Sequence, residues 1–193
     1  MRRHISLMHA LILLALALPY FINLGTSSIW DASEAFYAET PREMIATGDY
    51  LAPRFNFEPR VQKPPLTYWI IAASYKLFGV REFAVRLPGA LAGLGVMLFS
   101  YGIARMLYGP RPALMAAAMT ATTARIFILA RRLPIDIFLL FFLAGTLFFL
   151  IRGIRLKRTS AWLSAYAFAA LGFMVKGPVA AIIPAAALLL WAW

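Results

Sequence analysis

Apolar residues fall along this chain in long runs, separated by short polar stretches. A helix needs roughly 20 mostly apolar residues to cross the hydrocarbon of a bilayer. Residues 5–24 form one such run, and others occupy 84–107, 112–130, 134–151, 161–175 and 179–193. The last two are short enough to make a tilted hairpin. Residues 66–78 are apolar but too short to span easily. They read as a helix lying at the membrane interface, with Tyr68, Trp69 and Tyr75 at headgroup depth. The pattern predicts an all-α integral membrane fold, a polytopic helical bundle of about six spans. Its parts are a first span (5–24), an outer loop with short interfacial helices (30–82) and about five further spans (84–193).

Composition supports this reading and narrows it. The chain is 62% hydrophobic and 14% charged, with a mean hydropathy of +0.75, values of a polytopic membrane protein. There is no cysteine, so neither a disulfide framework nor a thiolate metal site is available. The start Met1, Arg2, Arg3, His4 has the basic flavour of a signal peptide. The run behind it, however, is long, lacks an obvious cleavage site and is followed by more spans, so it reads as a span. The net charge of +11 points to basic cytoplasmic loops and not to nucleic acid, because no basic region is long and polar.

The basic residues also orient the chain. With the N-terminus in the cytoplasm, the cytoplasmic segments carry Arg2, Arg3, Arg105, Arg111, Arg152, Arg155, Lys157 and Arg158, and no acid. The cluster at 152–158 is the strongest marker. All eight acids then face the other side, seven in 31–82 and the eighth at Asp136. Acids kept beside a membrane are candidates for function. The apolar run that reaches Trp193 ends without a polar cap, so the expectation is an N-terminal portion of a longer protein, or a truncated product.

The outer loop carries the candidate chemistry. Asp31 and Glu34 have capping-box-like spacing, and Thr40-Pro41-Arg42-Glu43 looks like a second helix start, closed by Gly48. Glu43 reads best as a cap. Asp31 and Glu34 read either as caps or as a dedicated carboxylate pair at the bilayer surface. Prolines exclude regular helix from there to Pro65. Arg54, Arg60 and Lys63 stand among aromatics, a setting for a phosphate or for a sugar stacked on a ring, or for anionic headgroups. Tyr37 and Tyr68 join them as substrate-binding candidates. Asp136 fits a carboxylate on a helix dipole or a functional acid. Lys176 fits a snorkelling lysine or a phosphate ligand.

With these residues in view, the chain resembles membrane glycosyltransferases that use polyprenyl-phosphate sugars, namely the bacterial aminoarabinose–lipid A transferases and their protein O-mannosyltransferase relatives. Four segments carry the resemblance: WDASEAFYAE at 30–39 with Arg42, Glu43 and Met44; QKPPLTYW at 62–69; Asp136 at the head of a span; and GFMVKGP at 172–178. The family has adjacent Asp-Glu in its first outer loop, where this chain has Ser33-Glu34 with Asp31 two residues earlier. The family's Glu-Lys-Pro is Gln62-Lys63-Pro64. That glutamate helps to bind a divalent metal in the family; a neutral amide is a poorer ligand, and no metal ligand is assigned.

The resemblance implies sugar transfer from a polyprenyl-phosphate donor to a lipid, glycan or protein acceptor, at the outer face of a bacterial inner membrane. It implies that Lys63, with Arg131 or Arg132, binds the phosphate, helped by Lys176. Asp31 or Glu34 orients or deprotonates the acceptor. Asp136 orients the acceptor or pairs with a cation. A transporter or flippase fragment is the main alternative. It is disfavoured because the centres of the spans are nearly free of charge. An inactive truncated subunit is the other.

Overall fold

The computed structural model describes residues 7–29, 31–132 and 135–192. The basic start, the first two residues of the 5–24 run, Trp30, Leu133, Pro134 and Trp193 lie outside them. Helix α1 (Leu7–Ala17) continues into a 3-10 turn (Leu18–Tyr20). Helix α2 (Ala32–Thr47) leads to a small antiparallel hairpin, β1 (Arg54–Phe55) and β2 (Glu58–Pro59), and then to α3 (Leu66–Phe78). The remainder is helical: α4 (Glu82–Tyr108), α5 (Pro110–Thr122), α6 (Ala124–Arg131), α7 (Ile135–Leu156), α8 (Thr159–Lys176) and α9 (Val179–Ala192).

Among the described residues, two helices, α4 and α7, are long and apolar enough to cross a membrane; there are three if α5 and α6 form one bent span. Leu7–Tyr20 and Val179–Leu190 are shorter apolar helices. The expected 112–130 run breaks by 61° because Thr123 is extended and its hydroxyl bonds back to the Met119 carbonyl at 2.6 Å. Such back-bonding competes with the helix ladder. The two superimposed helix starts at 31–48 are one helix. Pro41 sits inside α2, and Gly48 closes it with a φ of 72°, a left-handed geometry that suits glycine.

Helices α4 and α7 run parallel and form the spine. Gly95 and Gly102 of α4 each leave room for a phenylalanine ring of α7: a Cβ at Gly95 would lie 2.3 Å from Phe141, and one at Gly102 2.5 Å from Phe148. Positions seven apart share a face on both helices, so each glycine seats one ring. Phe99 lies between them and meets Phe141, Phe148, Phe149 and Phe168. Ala113, Ala117 and Ala121 bury a small-residue stripe of α5 in the cluster that holds Met97 and Tyr101 of α4.

Pro88 interrupts α4 chemically but not in shape. It has no N–H, so the carbonyl of Ala84 loses its helical donor. The buried hydroxyl of Ser74 on α3 donates to that carbonyl at 2.5 Å, which satisfies it and docks α3 on α4. One end of the spine thus carries α2, α3 and the hairpin. The last turns of α4 and α7 form the other end.

Candidate active site

Asp31 caps α2. One carboxylate oxygen accepts from the Ser33 N–H at 2.8 Å, the Glu34 N–H at 3.4 Å and the Ser33 hydroxyl. The hydroxyl bond is the largest cause that holds Asp31 below the usual carboxylate range; the Ser33 N–H and, weakly, the charge of Arg132 add to it. Asp31 is therefore ionised at any physiological pH. A carboxylate held this low positions a polar group better than it removes a proton.

Glu34 has a different environment. It is 4% exposed and forms a two-pronged ion pair with Arg86, which is equally buried. Arg86 Nε donates to Oε1 at 2.8 Å, and Nη2 to Oε2 at 3.1 Å. Its guanidinium also donates to the carbonyls of Leu24 (3.2 Å), Ser27 (2.6 Å) and Ser28 (3.3 Å) and to the Ser27 hydroxyl at 3.0 Å. One arginine of α4 so ties α2 to the segment after the 3-10 turn. Of the two carboxylates that the sequence leaves open, Glu34 is engaged in this framework.

A cavity of about 210 Å³ opens beside them, lined by Asp31, Ser33, Glu34, Arg125, Ile128, Leu129, Arg132 and Asp136. It lies where α2, α6 and α7 converge. Asp136, in the first turn of α7, forms an ion pair with Lys176 at the end of α8, two residues that stand 40 apart in sequence. Arg131 does not join the cavity. Its Nη1 donates to the carbonyls of Pro19 at 2.6 Å and Ile22 at 2.7 Å, so it fastens α6 to the end of the first helix.

The remaining candidates lie on the α2–α3 side. Tyr37 and Tyr68 are buried and stacked, with ring centroids 5.8 Å apart. Burial pushes the Tyr37 phenol up to about 12, so it stays a hydrogen-bond donor. The Arg60 guanidinium lies 3.9 Å over the Phe36 ring, a cation–π seat between loop and helix. Arg54, on β1, and Lys63, between the hairpin and α3, are both half-buried. Neither takes part in an ion pair among the described residues. Glu43 caps no helix. It is buried in the middle of α2 and accepts the Phe57 N–H at 3.1 Å. Phe57 has a φ of 64°, uncommon away from glycine, and the carboxylate holds that turn.

Gln62 is a neutral, exposed amide, and the described residues bring no three Asp, Glu, His or Cys side chains together.

The structure adds Arg86 and Arg125, which the sequence reading passes over. Each stands at or within a run taken as a span, and an arginine there needs a partner. That rule, applied to Arg86, is the signal that would have found its carboxylate.

Residues 62–193 match the family described as dolichyl-phosphate-mannose-protein mannosyltransferase. The undecaprenyl phosphate-alpha-4-amino-4-deoxy-L-arabinose arabinosyl transferase of Edwardsiella ictaluri is 33% identical over 180 residues, covering 90% of this chain and 32% of that protein. The crystal structure of ArnT from Cupriavidus metallidurans in the apo state superposes with a TM-score of 0.89 at 26% identity, covering 97% of this chain and 36% of that one. The same enzyme bound to undecaprenyl phosphate gives a TM-score of 0.83 at 27% identity, covering 96% of this chain and 36% of that one. The chain thus spans about a third of the length of the relatives it matches.

Proposed function

The chain belongs to the dolichyl-phosphate-mannose-protein mannosyltransferase family, and from this premise we propose that the complete protein moves a sugar from a polyprenyl-phosphate donor to an acceptor hydroxyl or phosphate. The observation that carries the proposal is a cavity lined together by Asp31, Asp136, Arg125 and Arg132. Opposite charges gathered at one opening suit a reaction that separates charge. The bond between the sugar's anomeric carbon and the phosphate oxygen breaks, and its electron pair leaves with the polyprenyl phosphate. The acceptor oxygen bonds to that carbon, and a hydroxyl acceptor passes its proton to the departing phosphate; a phosphate acceptor has none to lose.

Each residue has a part in this reading. Lys63 and Arg132 bind the donor phosphate and stabilise the charge that grows on it. Arg131 is assigned to the framework because its guanidinium already holds two carbonyls. Asp31 orients the acceptor and faces the positive charge that develops on the sugar. Glu34 keeps α2 in place through Arg86. Asp136 sets the position of Lys176, whose ammonium stands ready for the phosphate or the acceptor. Tyr37 donates from a buried phenol. Arg54 and Arg60 are assigned to the sugar from the hairpin side, outside the cavity's lining, and the buried Tyr68 supports the ring of Tyr37. The expected place of reaction is the outer face of a bacterial inner membrane, with the donor's tail in lipid.

The test is transfer of a radiolabelled sugar from a polyprenyl-phosphate donor, in membranes that contain the complete protein. Lys63→Ala and Asp31→Asn should each lower turnover by about 10²-fold or more at unchanged protein level in the membrane. Near-normal turnover of both variants would remove these residues from the reaction.

A further inference from the structure

The far end of the spine holds a second charged cavity, of about 500 Å³. It is lined by Arg105 and Met106 near the end of α4, by Arg152, Arg155 and Leu156 near the end of α7, and by Gly102 and Phe148 at the glycine–phenylalanine seat. Arg152 also lines an adjoining hollow of about 140 Å³, with Arg158, Ser160 and Ser164. Two hollows thus share one guanidinium, and four arginines surround them.

Part of this charge serves the protein itself. Arg155 donates to the Met106 carbonyl in the last turn of α4, and Arg105 donates to the Tyr101 hydroxyl at 2.5 Å. Cations near helix C-termini are favourable. The cavity nevertheless contains no acidic side chain, and none lies near in sequence: every Asp and Glu of the chain falls in 31–82 or at Asp136. Glu82 and Asp136 sit in the first turns of α4 and α7, at the opposite end. The 22 residues of α7 separate the two ends by about 33 Å at 1.5 Å per residue, close to the thickness of a bilayer's hydrocarbon. The walls beside the guanidinium groups are apolar: Met106, Phe148 and Leu156, the last 51% exposed.

We propose that this cavity binds the headgroup of an anionic glycerophospholipid in the leaflet opposite the candidate active site. Arg105, Arg152 and Arg155 would hold the phosphate, and the acyl chains would lie along Phe148 and Leu156. Charge complementarity carries the assignment: Arg152 and Arg155, with Arg105 beside them, line a hollow that no Asp or Glu among the described residues lines. The apolar wall and the depth along two spanning helices favour a lipid over a soluble phosphate. The inference is independent of the sugar-transfer reading, and its test involves no turnover.

The experiment is native mass spectrometry of the purified protein, titrated with phosphatidylglycerol and, separately, with phosphatidylcholine. Retention of phosphatidylglycerol alone is expected. The double variant Arg105→Gln/Arg152→Gln should weaken it roughly 30-fold, from the loss of two arginine contacts. Arg111→Gln and Lys157→Gln, whose side chains do not line the cavity, should change it little. If the double variant does not fold, Leu156→Glu keeps every arginine and supplies a carboxylate at the exposed mouth; it should abolish retention. An equal loss in the Arg111 and Lys157 variants, equal retention of the neutral lipid, or full displacement by inorganic phosphate at concentrations comparable to the lipid would each overturn the proposal.

Discussion

The two ends of the spine have opposite electrostatic characters. At the end that carries α2 and α3, three ion pairs form inside the chain: Glu34 with Arg86, Asp136 with Lys176, Glu39 with Arg42. At the other end arginines gather with no acidic side chain beside them. The difference lies in what each arrangement can specify. A buried ion pair has demanding geometry and fixes neighbouring elements, because either partner left alone is costly. Arginines whose hydrogen bonds go to a carbonyl and a hydroxyl, with no carboxylate lining their cavity, fix local geometry but leave the charge itself uncompensated there.

Breaking the paired end should have the largest effect. Arg86→Ala strands a buried carboxylate and frees several acceptors, and it should cost about 3–5 kcal/mol. Thermal unfolding in detergent would measure this, with early proteolysis of the segment around the hairpin. Arg86→Met combined with Glu34→Leu should recover most of the loss, since a packed apolar pair replaces a buried ionic one at little cost. If the double variant were no better than Arg86→Ala, the arginine's bonds to the carbonyls of Leu24, Ser27 and Ser28 would be the dominant contribution.

A second variant tests whether the cap of α2 also tunes the cavity. Asp31 is depressed in the folded protein, so what its charge contributes is present above the unfolded pKa and lost as pH falls through the lower folded value. Ser33→Ala removes the hydroxyl bond, the largest cause. The acid limb of the transfer rate, read from a pH–rate profile of the complete protein, should therefore move to higher pH. A limb that stays in place would separate Asp31 from the chemistry. The smallest effect is expected at Glu39–Arg42, where the arginine side chain is 46% exposed. Arg42→Ala should change stability by less than about 1 kcal/mol, which chemical denaturation would report, and so show that burial and not pairing alone distinguishes Glu34.

The sequence made much of the scaffold legible. The apolar run at 66–78 is α3, because its flanks, Pro65 and Gly79, are strong punctuation. The long runs that became α4 and α7 are equally plain. Local rules misjudged 31–48, because Pro41 at a plausible first helical position looked like a start. The helix tolerates it within a segment buried against α3, where tertiary packing outweighs propensity. The 112–130 run hid its bend, since Thr122-Thr123 scores as ordinary apolar-helix filler. For the site, Asp31, Asp136 and Arg132 are in the cavity, and Lys176 reaches it through Asp136. What separates Asp31 from Glu34 is Arg86, 52 residues along the chain from Glu34, and pairing at that distance leaves no mark around Glu34 itself, only the arginine inside an apolar run.

Arg86 and Arg131 also set an order of events during synthesis. The carbonyls at 19, 22, 24, 27 and 28 leave the ribosome early, but the guanidinium groups that hold them follow 58 to 112 residues later. At synthesis rates of roughly 5–20 residues per second, the first helix waits several seconds for its fastenings. Until then it is unattached on that side, and the segment behind it locks only after α4 and α6 have arrived.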